Sequence, residues 1–133
     1  MLTTNTPPLR DFASDISIIH KAYNFFLLLY TVIQRFPKKD RYSLGQKIEQ
    51  LTLELLELLF TTNAAERAER LTLQKQIDLK LKIIKTMIRL AYDVQAIDQK
   101  RYFILEKSLL EIGRMLGGWI KSTANPKQEN PAP

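Results

Sequence analysis

The stretch RYSLGQKIEQLTLELLELLFT, residues 41–61, decides the fold. Leu44, Ile48, Leu51, Leu55 and Leu58 recur at alternating spacings of four and three, which lines them along one side of a helix. A half-buried strand would instead place apolar residues at every second position. Glu49, Glu54 and Glu57 sit beside the leucines and read as a solvated face.

The same reading extends in both directions. Upstream, Pro37 disfavours helix at Phe36, so a first helix is expected over 14–36, with Ser14 as N-cap, Asp15 in the first turn and a stripe of Ile16, Ile19, Tyr23, Phe26, Tyr30 and Ile33. Its apolar run, residues 22–33, holds Asn24 and is flanked by His20, Lys21 and Gln34. It is too short to cross about 30 Å of hydrocarbon, so a core helix is expected and no membrane partner. The second helix is placed at 42–61, where Thr61, Thr62 and Asn63 interrupt the pattern. A third helix follows over 65–95, on Leu73, Ile77, Leu81, Ile84, Ile88 and Ala91. Asp98 then caps a fourth, 98–121, on Tyr102, Leu105, Leu109, Ile112, Leu116 and Trp119. Short connections make sequential helices antiparallel, so the expected fold is all-α: an up-down-up-down four-helix bundle over residues 13–122. Residues 1–12 read as a flexible segment, and the tail TANPKQENPAP, residues 123–133, lacks core-forming residues and reads as disordered.

Two of the helices are apolar on a second side. The first also carries Ile18, Phe25, Leu29 and Val32; the third carries Leu79, Ile83, Met87, Leu90 and Val94. A helix apolar on two sides is buried on two sides, which predicts a homo-oligomer; irregular packing within one subunit is the alternative.

At 133 residues the chain is one domain, and its 20 Lys+Arg against 14 Asp+Glu leave a formal charge of +6. That excess favours acidic partners, nucleic acid first. No cysteine is present, and the N-terminus lacks the basic-then-apolar order of a secretory signal, so the expected location is cytoplasmic. Catalytic patterns are missing: the one histidine, His20, has Ser17 three residues before it in place of a glutamate, and no glycine-rich loop joins a strand to a helix. A non-enzyme without metal or cofactor is expected.

The cations are placed with more order than the acids. An up-down-up-down bundle brings the first and third connections to one pole, gathering Arg35, Lys38, Lys39, Arg41, Lys47, Lys100 and Arg101 against Asp40 and Asp98. Several lie at helix N-termini, where the macrodipole favours acids, so an anionic partner is the functional reading and solvated loop charge the structural one. On the fourth helix Lys100, Lys107, Arg114 and Lys121 recur every seven residues, about 10 Å apart. The third has Lys75, Lys82 and Arg89 at the same period, with Lys85 alongside. Alone, each row reads as the solvated flank of a bundle helix; together with the basic pole they read as a basic face, which fits contacts to a nucleic-acid backbone (RNA or DNA) more than base readout. Gly113 and Gly117, four residues apart on the fourth helix, open a shallow seam for a helix of the same or another subunit, or for a phosphate; Gly118 reads as the fraying end.

Two segments carry a family resemblance: RFPKKDRYSLGQKIEQLTLELLELL, residues 35–59, and SLLEIGRMLGGWIKS, residues 108–122. With them the chain resembles the accessory variability determinant (Avd) proteins of diversity-generating retroelements over about residues 12–122. Phe36-Pro37-Lys38 followed by Leu44-Gly45 is shared with a wider four-helix family that includes proteins encoded by intervening sequences of ribosomal RNA genes, and a self-assembling bundle of that type with an unknown partner is the alternative reading. The resemblance implies a homopentameric barrel of bundles whose basic surface binds the element's reverse transcriptase and its RNA template during mutagenic cDNA synthesis. Arg114 lies inside the more discriminating segment.

Overall fold

The computed structural model describes residues 17–125. Four long helices make up the fold: α1 (Ser17–Ile33), α2 (Gln46–Ala64), α3 (Arg67–Asp93) and α4 (Gln99–Ala124). Each packs against its chain neighbours, and α1 packs on both α2 and α4, which closes the four-helix bundle in the expected antiparallel order. A single α-helical turn, Lys38–Asp40, and a π-helical turn, Arg41–Gly45, lead without a break into α2. The Ser14 cap and the segments 1–12 and 126–133 lie outside the described residues.

The core is a column of mostly aliphatic side chains, with Phe25 and Phe36 among them. Ile77, Leu81, Ile84, Ile88 and Ala91 of α3 and Leu105, Leu109, Ile112 and Leu116 of α4 are buried, as the periodicity demands. Along the α2 stripe Ile48 and Leu55 are buried as expected, whereas Leu44, Leu51 and Leu58 are half-buried and Leu59 takes a core position in their place. On α1 the sides are exchanged. Ile18, Phe25, Leu29 and Val32 form the core face with Ile19, Ala22 and Ile33, whereas Tyr30 is exposed and Tyr23 and Phe26 are half-buried. Compact aliphatic side chains and one Phe fill the narrow centre, and the tyrosines keep their hydroxyls near water. The second side of α1 is therefore buried inside one bundle. That of α3 is not: Leu79, at 58%, and Val94, at 50%, are exposed with Ile83 and Leu90.

The element ends differ from expectation for local reasons. α1 stops at Ile33, and residues 34–36 turn, Arg35 N donating to Val32 O and Phe36 N to Ile33 O, before Pro37 starts the next helix. α3 ends in a Schellman arrangement: Gln95 takes φ 66°, its N–H donates to Tyr92 O, and Ala96 N–H donates to Ala91 O at 2.8 Å. Asp98 caps α4, its Oδ1 accepting from Arg101 N at 2.8 Å. At the far end, residues 123 and 124 are helical, which corrects the disordered reading there. Thr123 is buried, and its Oγ1 accepts from Gln74 Nε2 at 2.9 Å and donates to Trp119 O at 3.0 Å.

Gly45 is the glycine that packing requires. A Cβ there would lie 2.9 Å from Ile33 Cγ2 and 3.4 Å from both Asp40 O and a Phe36 ring carbon. A Cβ on Gly113, Gly117 or Gly118 would meet nothing within 4 Å. No helix of the same chain occupies the expected seam.

Candidate functional site

The periodic cations of α3 and α4 fall on adjoining sides of the bundle and meet between the two helices. A groove of about 320 Å³ is lined there by Asp78, Leu81, Lys82 and Lys85 of α3 and by Leu109, Leu110, Gly113 and Arg114 of α4. The floor is aliphatic and the rim is basic. Lys82 Nζ pairs with Asp78 at 2.9 Å, and Arg89 Nε with Asp93 at 2.9 Å, both one helical turn apart on the exposed surface. Lys75, Lys85, Lys107 and Arg114 have no salt-bridge partner among the described residues, so their charge faces outward uncompensated.

The pole forms as expected, and its cations divide in two. Arg35 and Arg101 line a cleft of about 660 Å³ with Pro37, Tyr92, Asp93, Gln95 and Asp98. Arg101 is already engaged, because its guanidinium pairs with Asp98, whose carboxyl is held below its ordinary range chiefly by the backbone hydrogen bond from Arg101. Lys38, Lys47 and Lys100 are exposed outside the cleft. Arg41 does not belong to the outward set. Its Nη2 turns back to Gln34 O at 3.0 Å and Phe36 O at 3.4 Å, satisfying carbonyls that the end of α1 leaves open, while its Nε is buried. Arg41 thereby joins the end of α1 to the start of α2.

Some features escaped the sequence reading. Tyr92 and Tyr102 stack across α3 and α4 with centroids 4.6 Å apart; burial first, then the hydrogen bond to Glu106, raises the Tyr102 pKa, and Arg89 sits 6.0 Å above the Tyr92 ring. Their spacing within each helix carried no sign of a cross-helix pair. On α2, Glu49, Leu53, Glu57 and Phe60 follow one another at spacings of four, four and three, a second stripe that the stronger leucine stripe masks. Leu53 and Phe60 are exposed, Glu57 is exposed, and half-burial raises the Glu49 carboxyl pKa by desolvation. Neither glutamate has a salt bridge among the described residues, in contrast to Glu54, which takes Lys80 of α3 at 2.8 Å.

Among the described residues no three His, Cys, Asp or Glu gather into a metal-binding group, and no helix is long and apolar enough to cross a membrane. The arrangement offers charge and apolar surface. A family model described as bAvd-like matches residues 16–123. No curated protein matches the chain.

Proposed function

The chain belongs to the bAvd-like family, and on that premise we propose that it is a non-catalytic accessory subunit of a diversity-generating retroelement, binding the reverse transcriptase and its RNA template or cDNA through a basic surface. The observation that carries this reading is the α3 row, Lys75, Lys82, Lys85 and Arg89, continued at the pole by Lys100 and Lys38. These cations come from α3, from the turn Lys38–Asp40 and from α4, and only Lys82 and Arg89 are paired with acids. Among the described residues, Lys75, Lys85, Lys100 and Lys38 are left without an acid, as a surface that tracks phosphates requires. The chain acts as a homo-oligomer, pentameric by the family resemblance. Exposed Leu79, Ile83 and Leu90 on α3 and Val94 at its C-cap, with Leu53 and Phe60 on α2 and Phe103, Ile104 and Leu110 on α4, support association, since a monomer gains nothing from leaving such surface in water.

The test is salt-dependent binding of the full chain to labelled single-stranded template RNA. Charge reversal at Lys38, Lys75, Lys85 and Lys100 is expected to weaken binding and to flatten the log–log salt slope by roughly 0.7 for each phosphate that is no longer neutralised. An unchanged affinity and slope, with helical content retained, would refute the RNA surface.

A further inference from the structure

The unpaired stripe of α2 matches an unpaired stripe of α4 in kind and in spacing. On α2 the order is Glu49, Leu53, Glu57, Phe60; on α4 it is Lys107, Leu110, Arg114, Gly117. The steps are four, four and three on one and three, four and three on the other, so both span roughly 15 Å at 1.5 Å per residue. Leu53, Phe60 and Leu110 are 42%, 46% and 46% exposed, and a Cβ on Gly117 would stand in open space. Every acid on the first stripe and every cation on the second lacks a salt bridge among the described residues. Within one chain the two cannot meet, because α1 and α3 stand between α2 and α4.

We propose that the α2 stripe of one copy packs against the α4 stripe of the next, with Glu49 beside Lys107, Leu53 against Leu110, Glu57 beside Arg114 and Phe60 over Gly117. The pairing rests on the self-association in the proposed function and specifies which two surfaces make it. Because α2 and α4 run in the same direction through the bundle, copies arranged around an axis along their bundles present these helices in parallel, the orientation in which the four positions match. The contact joins two different surfaces, so it is head-to-tail: it closes a ring when the rotation per copy allows and extends into a filament when it does not. The open side of Gly117 receives the Phe60 ring, which gives an exposed helical glycine a use that the isolated chain does not show. Lys107 and Arg114 then serve the subunit contact, and the RNA surface is the α3 row with the pole.

The test is sedimentation of the full chain and its charge-swapped forms. E49K/E57K alone and K107E/R114E alone are expected to associate at least tenfold more weakly than the parent. The four-fold variant carrying both changes is expected to recover association, because opposite charges meet again at every contact; the equimolar mixture recovers less, because a five-membered ring cannot alternate two kinds of chain without one like-charged contact. As an independent readout, the chain has no cysteine, so a mixture of L53C and L110C chains should form the mixed disulfide faster than either chain forms its own. The pairing is overturned if either two-fold variant assembles like the parent, if the four-fold variant does not recover, or if the mixed disulfide shows no preference. A parent that stays monomeric sinks the self-association reading itself; an assembled parent that ignores these changes sinks the pairing alone.

Discussion

Replacing Gly45 with alanine tests whether the junction between α1 and α2 is as tightly packed as its distances say. The new Cβ would stand 2.9 Å from Ile33 Cγ2, whereas apolar carbons rest at about 3.5–4.0 Å. Ile33 is 1% exposed and Phe36 3%, so neither has free volume to move into, and Asp40 O at 3.4 Å closes the remaining side. Overpacking of this kind costs about 1–3 kcal/mol. The backbone at Gly45 is already helical, at φ −60° and ψ −46°, so alanine returns up to about 1 kcal/mol of helix propensity. The net expectation is destabilisation by about 1–2 kcal/mol, which at an m-value of about 2 kcal/mol/M lowers the urea midpoint by roughly half to one molar. Gly118→Ala is the internal control: its Cβ meets nothing within 4 Å, so it should gain up to about 1 kcal/mol. Urea titrations followed by circular dichroism at one protein concentration give both signs. If the two substitutions move the midpoint in the same direction, the packing account of Gly45 is wrong.

Other consequences can be measured in the same way. Gln95→Gly removes a side chain from a left-handed position, φ 66°, where a non-glycine residue costs about 1–2 kcal/mol; after the backbone entropy of glycine, a gain of up to about 1 kcal/mol is expected in thermal melts. Thr123→Val leaves the Gln74 amide buried with no partner at either end, since Gln74 Oε1 already has none, and should cost about 1–3 kcal/mol. Gln74→Leu removes the unpaired oxygen while Thr123 keeps Trp119 O, so it should cost less than Thr123→Val; the reverse order would refute the reading. For Asp98 the folded carboxyl is depressed, so its stabilisation is present above the ordinary carboxylate range and is lost as pH falls through the folded value. Asp98→Ala should therefore lower the melting temperature at neutral pH, with the gap to the parent closing in acid.

The helices were legible because three of the four show one dominant stripe, with Leu44 to Leu58 and Ile77 to Ala91 each keeping alternate spacings of four and three. α1 was legible as a helix and misread as to side. With apolar residues all round, periodicity does not say which side faces in, and side-chain shape decides: Phe25 and Leu29 fill the centre, while Tyr23 and Tyr30 do not. The charge rows were visible in sequence, but their pairing was not. Arg41 looked like its neighbours Lys38 and Lys39, and only the turn at residues 34–36 brings open carbonyls within its reach. The stripe from Glu49 to Phe60 lies on the helix whose leucines had already explained it. The glycines were the reverse case: three in one helix drew notice, yet Gly45 is the one that close contact requires.

Trp119 is the single tryptophan of the chain and sits on the last turns of α4, packed against the core and four residues before the Thr123 anchor. Its fluorescence is therefore a private reporter of how that end of α4 docks, while circular dichroism averages over all four helices. If the two signals change together during denaturation, the end of α4 melts with the whole bundle; an earlier shift in emission marks local opening at that end. The same indole gives a background-free signal for mixing experiments, since a tryptophan-free partner chain, Trp119→Phe, would be dark beside it.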